Sequence, residues 1–532
     1  MINNLKINLS NKIHNNFNFH YEKLKNKEVL KSYNQIIKLA PNKRSYYKSL
    51  LIDGGFYNLG YLFRLQLLRA AIKSNKLNEK AFIWDCNINI CKHILKSIGI
   101  NDISYLIDNF KKDIFLRAEL IANQIKTSAD ILNIKLPYDI PSYFLYDSIL
   151  KSQRLSTVNI NDKNFKRYIY KFLYSVQSAE EMIKSFKPDL IVMSHCINYQ
   201  CSPMSWIGSK HGIQVIVLGG GFGVPRLWRI SNPKDLSMGN GHPLYNYFTN
   251  LSNDKKYKLM AIGKKYISKR ISGKSSDIGG RYAFQGKTKK INELEINKKN
   301  KKIIAIYASS FFDFPHTYGM NRFLDIKDWV KSTIKIAKEN KKVIWLLKPH
   351  PLEEWYGGAK LTEIFPEELP ENIIILPYKY SGKEIINIAD ALVTLHGTSA
   401  IEFAAMGKPV LVADKGWYHD FNFVTFPKSK EEYLHLLNNK WYENINIKKT
   451  KGKAELFAGM FFGIPKWQEN SLLPDDSDKE KLRCKIPELI NSKSKIIKKE
   501  ITLINKWLNS DLKDYHSFKI LNSYSYSSLI NN

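Results

Sequence analysis

Polar residues that could do chemistry stand just after short apolar runs in this chain. His396-Gly397-Thr398-Ser399 lies between the apolar run 391–395 and a helical segment, 400–406. Free backbone N–H groups at a helix start, with the positive end of the helix dipole, make an anion site. Thr398 and Ser399 add hydroxyl donors or cap the helix. Glu402, about one turn on, faces the same ligand or closes a capping box. Lys348-Pro349-His350-Pro351 ends the run 342–347 and holds a cation and an imidazole in a stiff turn. Ser309 and Ser310 follow 303–307, where hydroxyls can meet phosphate. In the first half, Asp53 ends 49–53 and His195 ends 190–194; either can take a proton from a hydroxyl. Gly54, Gly55, Gly220 and Gly221 sit in glycine loops, 54–60 and 219–223, that allow close backbone approach to a ligand. Neither loop has the spacing of a dinucleotide fingerprint or the lysine of a P-loop.

These residues need a scaffold that collects strand ends. Apolar runs at 49–53, 81–84, 190–194 and 214–218 alternate with helical spacing at 61–73, 90–98 and 205–211, and 105–185 reads as mainly helical. Runs at 303–307, 342–347, 372–376, 391–395 and 410–413 alternate with helices in the same way. Alternation of this kind specifies parallel sheets covered by helices. The fold expected is α/β, with two doubly wound (Rossmann-like) domains facing a cleft and extra helices at both termini. The divisions expected are a basic arm (1–45), an amino-terminal domain (46–250), a charged linker (251–300), a carboxyl-terminal domain (301–430) and a helical, Lys-rich region (431–532). Ligands of such sheets bind at the carboxyl ends of strands. Asp53, His195, Ser309, His350 and His396 all fall there.

The order Lys348-Pro349-His350-Pro351, Ala389-Asp390, His396-Gly397-Thr398-Ser399, Glu402 and Gly407-Lys408-Pro409 resembles the nucleotide-sugar domain of GT-B glycosyltransferases. It is most similar to the bacterial capsule and surface-polysaccharide branch, which includes enzymes using CMP-activated acidic sugars. The resemblance covers residues 303–425 and reaches the amino half only as architecture. It implies that Lys348 and His350 contact donor phosphate or ribose, that Gly397, Thr398 and Ser399 hold the phosphates, and that Glu402 takes ribose hydroxyls. It implies an acceptor site and a base in the amino half, His195 or Asp53. The expected partners are a nucleotide-sugar (CMP- or UDP-linked) and a glycan or lipid-linked acceptor. No cofactor is expected, since the nucleotide-sugar is a substrate. No Asp-x-Asp pair suggests a metal site. Sugar epimerases and glycerophosphate transferases carry similar segments and remain alternatives, as does a non-catalytic polyanion-binding protein.

The 532 residues exceed one ordinary core. A hydrophobic content of 44% supports packed domains rather than a disordered chain. The five cysteines have no zinc-knuckle spacing and read as reduced thiols. No apolar run is long enough for a membrane span and the start is not a secretory signal, so the expected place is the cytoplasm. A net charge of +33 reads either as a Lys/Asn/Ile-rich compositional bias on solvated faces or as attraction to an anionic surface, and the second reading extends that expectation to the inner face of the membrane. No nucleic-acid-binding motif accompanies the charge, so nucleic acid is not an expected partner.

Overall fold

The computed structural model describes residues 22–40, 46–72, 77–84, 88–106, 110–219, 227–236, 243–275, 278–284, 301–365, 367–378, 380–462 and 479–522. Two sheets organise them. The amino-terminal sheet contains β1 (Ser49–Asp53), β2 (Asn78–Trp84), β3 (Asp102–Leu106), β4 (Leu190–Met193), β5 (Gln214–Val217) and β6 (Trp228–Ile230), in the order β3-β2-β1-β4-β5-β6. All pairs are parallel except β5–β6. The carboxyl-terminal sheet contains β7 (Lys302–Tyr307), β8 (Val343–Lys348), β9 (Ile373–Ile375), β10 (Ala391–Thr394) and β11 (Val410–Val412), all parallel, in the order β11-β10-β7-β8-β9. Strands β4, β8 and β10 are buried along their whole length, as strands covered on both faces must be.

Each sheet starts at its middle strand, builds to one side, then returns to build to the other. The order therefore reverses between β1 and β4, and between β7 and β10. A crevice opens at the carboxyl ends of the strands at such a point. Asp53 and Ser194-His195 lie at the first reversal, and Ala308-Ser309 and His396 at the second.

The helices that matter for the cleft are α1 (Lys27–Lys38), α2 (Leu59–Ile72), α3 (Tyr143–Gln153), α4 (Asn198–Lys210), α5 (Asn253–Ile271), α6 (Ser399–Ala405), α7 (Ile447–Phe461), α8 (Lys479–Ser492), α9 (Ser494–Leu508) and α10 (Tyr515–Asn522). Every residue of α2 is buried. It lies between the amino-terminal sheet and a layer made by α1, α8 and α9, so the last helices of the chain complete the first domain's core. Residues 27–38, within the stretch expected as a basic arm, thus form a packed helix with Val29, Leu30, Tyr33 and Ile36 inside.

Strands β3 and β6 lie outside the expected elements. β3 is an edge strand with only Leu106 buried, and β6 has three residues. The stretch 251–300, expected as a charged linker, contains α5, which packs along α7. Leu259, Gly263, Ile267 and Ile271 recur every fourth residue on its buried face while the lysines point outward. Gly263 and Gly459 make this packing feasible: a Cβ on Gly263 would sit 1.9 Å from the Glu455 carbonyl, and one on Gly459 1.9 Å from that of Leu259.

Helix α3 joins the two domains. Tyr146 donates to Asp325 (2.8 Å), and Lys151 pairs with Asp313 (2.8 Å). Between them, the Asp147 carboxylate takes the Thr317 N–H and hydroxyl (3.0 Å each) and meets His316 Nδ1 at 2.7 Å. Asp147 and Thr317 are 0% exposed, so this buried carboxylate has its donors in place.

Candidate active site in the cleft between two sheets

A cavity of about 430 Å³ opens at the carboxyl ends of β7, β8 and β10. Ser309, Ser310, Lys348, His350, His396, Gly397, Thr398, Ser399 and Glu402 all line it, so the donor-site residues expected from sequence share one cavity. Their chemistry differs in detail from the expectation.

The Lys348 ammonium is only 3% exposed, lies 6.0 Å from the Tyr307 ring centre and donates to the Tyr380 carbonyl at 3.0 Å. It acts as a fixed positive charge in the wall. His350 Nδ1 accepts the Leu352 N–H at 3.3 Å, which places the neutral ring's proton on Nε2. Burial pushes its pKa down to about 4, against a raising influence from Asp313. His350 is therefore a neutral donor at physiological pH. Burial also holds His396 at about 4, and its Nδ1 is buried without a hydrogen-bond partner. An orphaned ring nitrogen in a polar cavity is a site where a ligand group can bond.

The turn 396–399 is held from below. Thr394 Oγ1 donates to the Tyr307 carbonyl (3.2 Å), and the Tyr418 hydroxyl to the Gly397 carbonyl (3.1 Å). A Cβ on Gly397 would lie 3.1 Å from Thr394 Oγ1, so the turn is close-packed there. Thr398 occupies the position before α6 without capping it, so its hydroxyl is not spent on the helix start. Glu402 differs most from expectation. It is 4% exposed, and Arg270 of α5, itself 3% exposed, donates from Nε to Glu402 Oε1 at 2.5 Å. The carboxylate expected to take ribose hydroxyls is engaged by a guanidinium that also lines the cavity.

A second cavity, of about 470 Å³, lies at the ends of β1 and β4. Asp53, Gly55 and His195 line it. Asp53 Oδ1 accepts the Gly55 N–H (3.1 Å); Oδ2 accepts the Ser194 N–H (3.2 Å) and hydroxyl (2.5 Å). The Ser194 hydroxyl has one proton and gives it to Asp53. Its oxygen, 3.0 Å from His195 Nδ1, must therefore accept from that nitrogen. The neutral His195 ring then carries its proton on Nδ1 and a bare lone pair on Nε2. Burial lowers the His195 pKa, with Asp53 opposing and Arg64 reinforcing the shift. Phe56 packs edge-on against the ring at 4.7 Å. Asp53 thus accepts three hydrogen bonds and is linked to His195 through the Ser194 hydroxyl.

Gly54 does not line this cavity. A Cβ there would meet Leu95 Cδ1 at 2.6 Å and the Phe82 carbonyl oxygen at 3.2 Å, so Gly54 packs against β2 and Leu95. Gly220 and Gly221 lie outside the described residues. Sequence reading missed Arg270, Asp313 and Tyr356. Arg270 falls in a Lys-rich stretch, and Asp313 and Tyr356 in irregular segments. Asp313 and Tyr356 line both cavities, which meet at these two side chains. Among the described residues no cluster of His, Cys, Asp or Glu could hold a metal ion, and no helix is long and apolar enough to cross a membrane.

No protein-family model and no curated protein matches the chain. Among solved structures it is similar to a UDP-GlcNAc 2-epimerase from Neisseria meningitidis bound to UDP-GlcNAc, at 13% identity, 76% of this chain, 97% of the other and a TM-score of 0.24. It is similar to the KpsC β-Kdo 2,4 transferase of Thermosulfurimonas dismutans, at 12% identity, 49% of this chain, 75% of the other and a TM-score of 0.33. It is also similar to the glycosyltransferase SnogD from Streptomyces nogalater, at 10% identity, 86% of this chain, 100% of the other and a TM-score of 0.25.

Proposed function

We propose that this chain is a glycosyltransferase that moves a sugar from a CMP- or UDP-activated donor to a surface-polysaccharide or lipid-linked acceptor. One observation carries the reading: two cavities, one at each sheet's reversal point, lie side by side and share Asp313 and Tyr356 in their walls. A bisubstrate transfer needs two facing sites that share one reaction centre. An epimerase needs one.

In this reading the nucleotide occupies the carboxyl-terminal cavity. The Lys348 charge, the His350 Nε2–H and the hydroxyls of Ser309, Ser310, Thr398 and Ser399 meet the phosphates as negative charge grows on the leaving group. The acceptor hydroxyl lies in the amino-terminal cavity, where the bare Nε2 of His195 takes its proton. The acceptor oxygen then bonds to the anomeric carbon as the bond to phosphate breaks. Apposition of the two domains excludes water that would otherwise hydrolyse the donor. The reading requires no metal, because fixed protein groups neutralise the leaving phosphate.

The test is a thermal-shift panel of CMP, CDP, UMP, UDP and GDP, with and without magnesium, on wild type and His350→Ala. A ligand that binds only the folded state raises Tm by mass action. Stabilisation by one nucleotide without magnesium, lost in the variant, supports the reading and names the donor class. No shift with any nucleotide refutes it. Product analysis of the matching nucleotide-sugar separates transfer from epimerisation, since an epimerase converts its substrate with no acceptor.

A further inference from the structure

The side chain at the meeting point of the two cavities is a carboxylate that the donor and base assignments leave unused. Asp313 lies six residues beyond β7, in the segment Phe311-Phe312-Asp313-Phe314-Pro315. Its Oδ1 accepts from Lys151 of α3 across the domain boundary, and its side chain is 33% exposed, so it is neither buried away nor freely solvated. The Lys151 ammonium is ringed by Phe312, Phe314 and Tyr356, with ring centres 5.3, 5.3 and 5.1 Å away. These contacts fix the cation. Phe314 adopts φ +54°, a left-handed conformation that costs a bulky residue energy and is kept where the surroundings impose it. The loop is thus held, against local preference, in the shape that puts Asp313 between the cavities.

We propose that Asp313 is a catalytic residue: its carboxylate faces the sugar at the junction and stabilises the positive charge that develops at the anomeric carbon and ring oxygen, with Lys151 as its positioning counter-ion. The proposal rests on the transferase reading. As the bond to phosphate breaks ahead of attack, the sugar ring becomes cationic. A fixed anion beside it lowers the barrier without covalent chemistry and without taking the acceptor proton, which goes to His195. A preorganised charge of this kind accounts for about 10²–10³ in rate. A plain interdomain ion pair would contribute little at this exposure.

The experiment uses the full chain and the CMP- or UDP-sugar whose nucleotide stabilises it, following the slow nucleotide release to residual water that remains when no acceptor fills the amino-terminal cavity. Asp313→Asn should lower kcat roughly 100-fold or more while KM, the nucleotide-induced Tm shift and the unliganded Tm stay near wild type. Asp313→Glu should recover part of the rate, and Lys151→Met should lose less than Asp313→Asn. Retention of kcat within about threefold in Asp313→Asn overturns the proposal. So do equal losses in Asp313→Asn and Lys151→Met accompanied by a matching fall in Tm, the mark of a structural bridge. If Asp313→Asn fails to fold, the Lys151→Met/Asp313→Asn pair, with both charges removed, gives the same comparison. A wild-type chain that binds none of the nucleotides overturns the transferase reading itself, and is recognised before any variant is made.

Discussion

Replacing Glu402 by Leu should destabilise the carboxyl-terminal domain strongly, and replacing Arg270 by Met at the same time should restore most of the loss. The two side chains are 4% and 3% exposed and meet at 2.5 Å. Removing one partner of a buried pair leaves a desolvated charge and costs about 3–5 kcal/mol. At about 2–4 °C of Tm per kcal/mol for a unit of 150–250 residues, the single variants should melt roughly 6–20 °C lower. The double variant replaces both charges with apolar groups of similar size, which is often neutral or stabilising. Calorimetry on the wild type, both single variants and the double variant closes a cycle, and the coupling term is the measured quantity. Glu402→Gln, which keeps shape and an acceptor oxygen for Arg270, should retain the nucleotide-induced shift. Single variants that melt within about 2 °C of wild type, combined with loss of that shift in Glu402→Gln, would refute the reasoning. Glu402 would then serve the ligand, as the sequence resemblance implies, and not the wall.

His195→Ala should cost about 10²–10⁴ in kcat while leaving the nucleotide-induced Tm shift intact, because general-base catalysis is lost and the donor cavity is untouched; loss of the shift would place His195 outside the proposed role. Ser194→Ala cuts the link between Asp53 and His195, so kcat should fall and its acid-side pH dependence should move, since the Nδ1–H loses its acceptor; an unchanged profile would refute the tautomer assignment. His350 and His396 have folded-state pKa values lowered from 6.5 to about 4, so both are neutral in folded and unfolded chains above about 6.5. Below that the unfolded chain binds protons that the folded chain resists, and stability should fall as pH drops from about 6.5 towards 4, less steeply in His350→Asn. The net charge of +33 should give binding to anionic liposomes at low salt that weakens as salt rises; absence of binding at low salt would remove the membrane surface as a partner.

Local apolar runs made much of this arrangement readable. Leu190–Met193 and Ala391–Thr394 are short, continuous and buried strands, each followed at once by polar residues, and that pattern alone placed His195 and His396 at strand ends. Strand β3 hid because it buries only Leu106, and Asp102 and Ser104 break up any apolar run. Helix α5 hid behind its lysines, although Leu259, Gly263, Ile267 and Ile271 repeat every four residues. The Arg270–Glu402 pair has no local signal: the partners are 132 positions apart, on α5 and α6, and meet only in the folded chain. Asp53 and His195 were equivalent candidates in sequence. Ser194, bonded to both, separates their roles. The aromatic residues flanking Asp313 were visible, but their meaning depends on Lys151 arriving from another domain.

The return of α8, α9 and α10 to the first domain has a consequence for how the protein is made. Leu482, Ile486, Ile501 and Trp507 belong to the same apolar cluster as Leu50, Ile52 and Leu65. The Arg229 guanidinium bonds the Ser510 carbonyl at 2.5 Å and the Trp507 carbonyl at 2.6 Å, which ties β6 to the same helices. On the ribosome, the first sheet and α2 emerge hundreds of residues before the helices that cover them. Until residues 479–508 have emerged, that face is exposed apolar surface, and closing it requires contacts of very large sequence separation. The carboxyl-terminal sheet, whose strands lie between residues 302 and 412, has its whole ladder available earlier. The order of maturation should therefore run against the order of synthesis: the second sheet settles first, and the first is sealed last. A nascent chain stopped short of residue 479 would leave the apolar face of α2 uncovered for a holdase to bind.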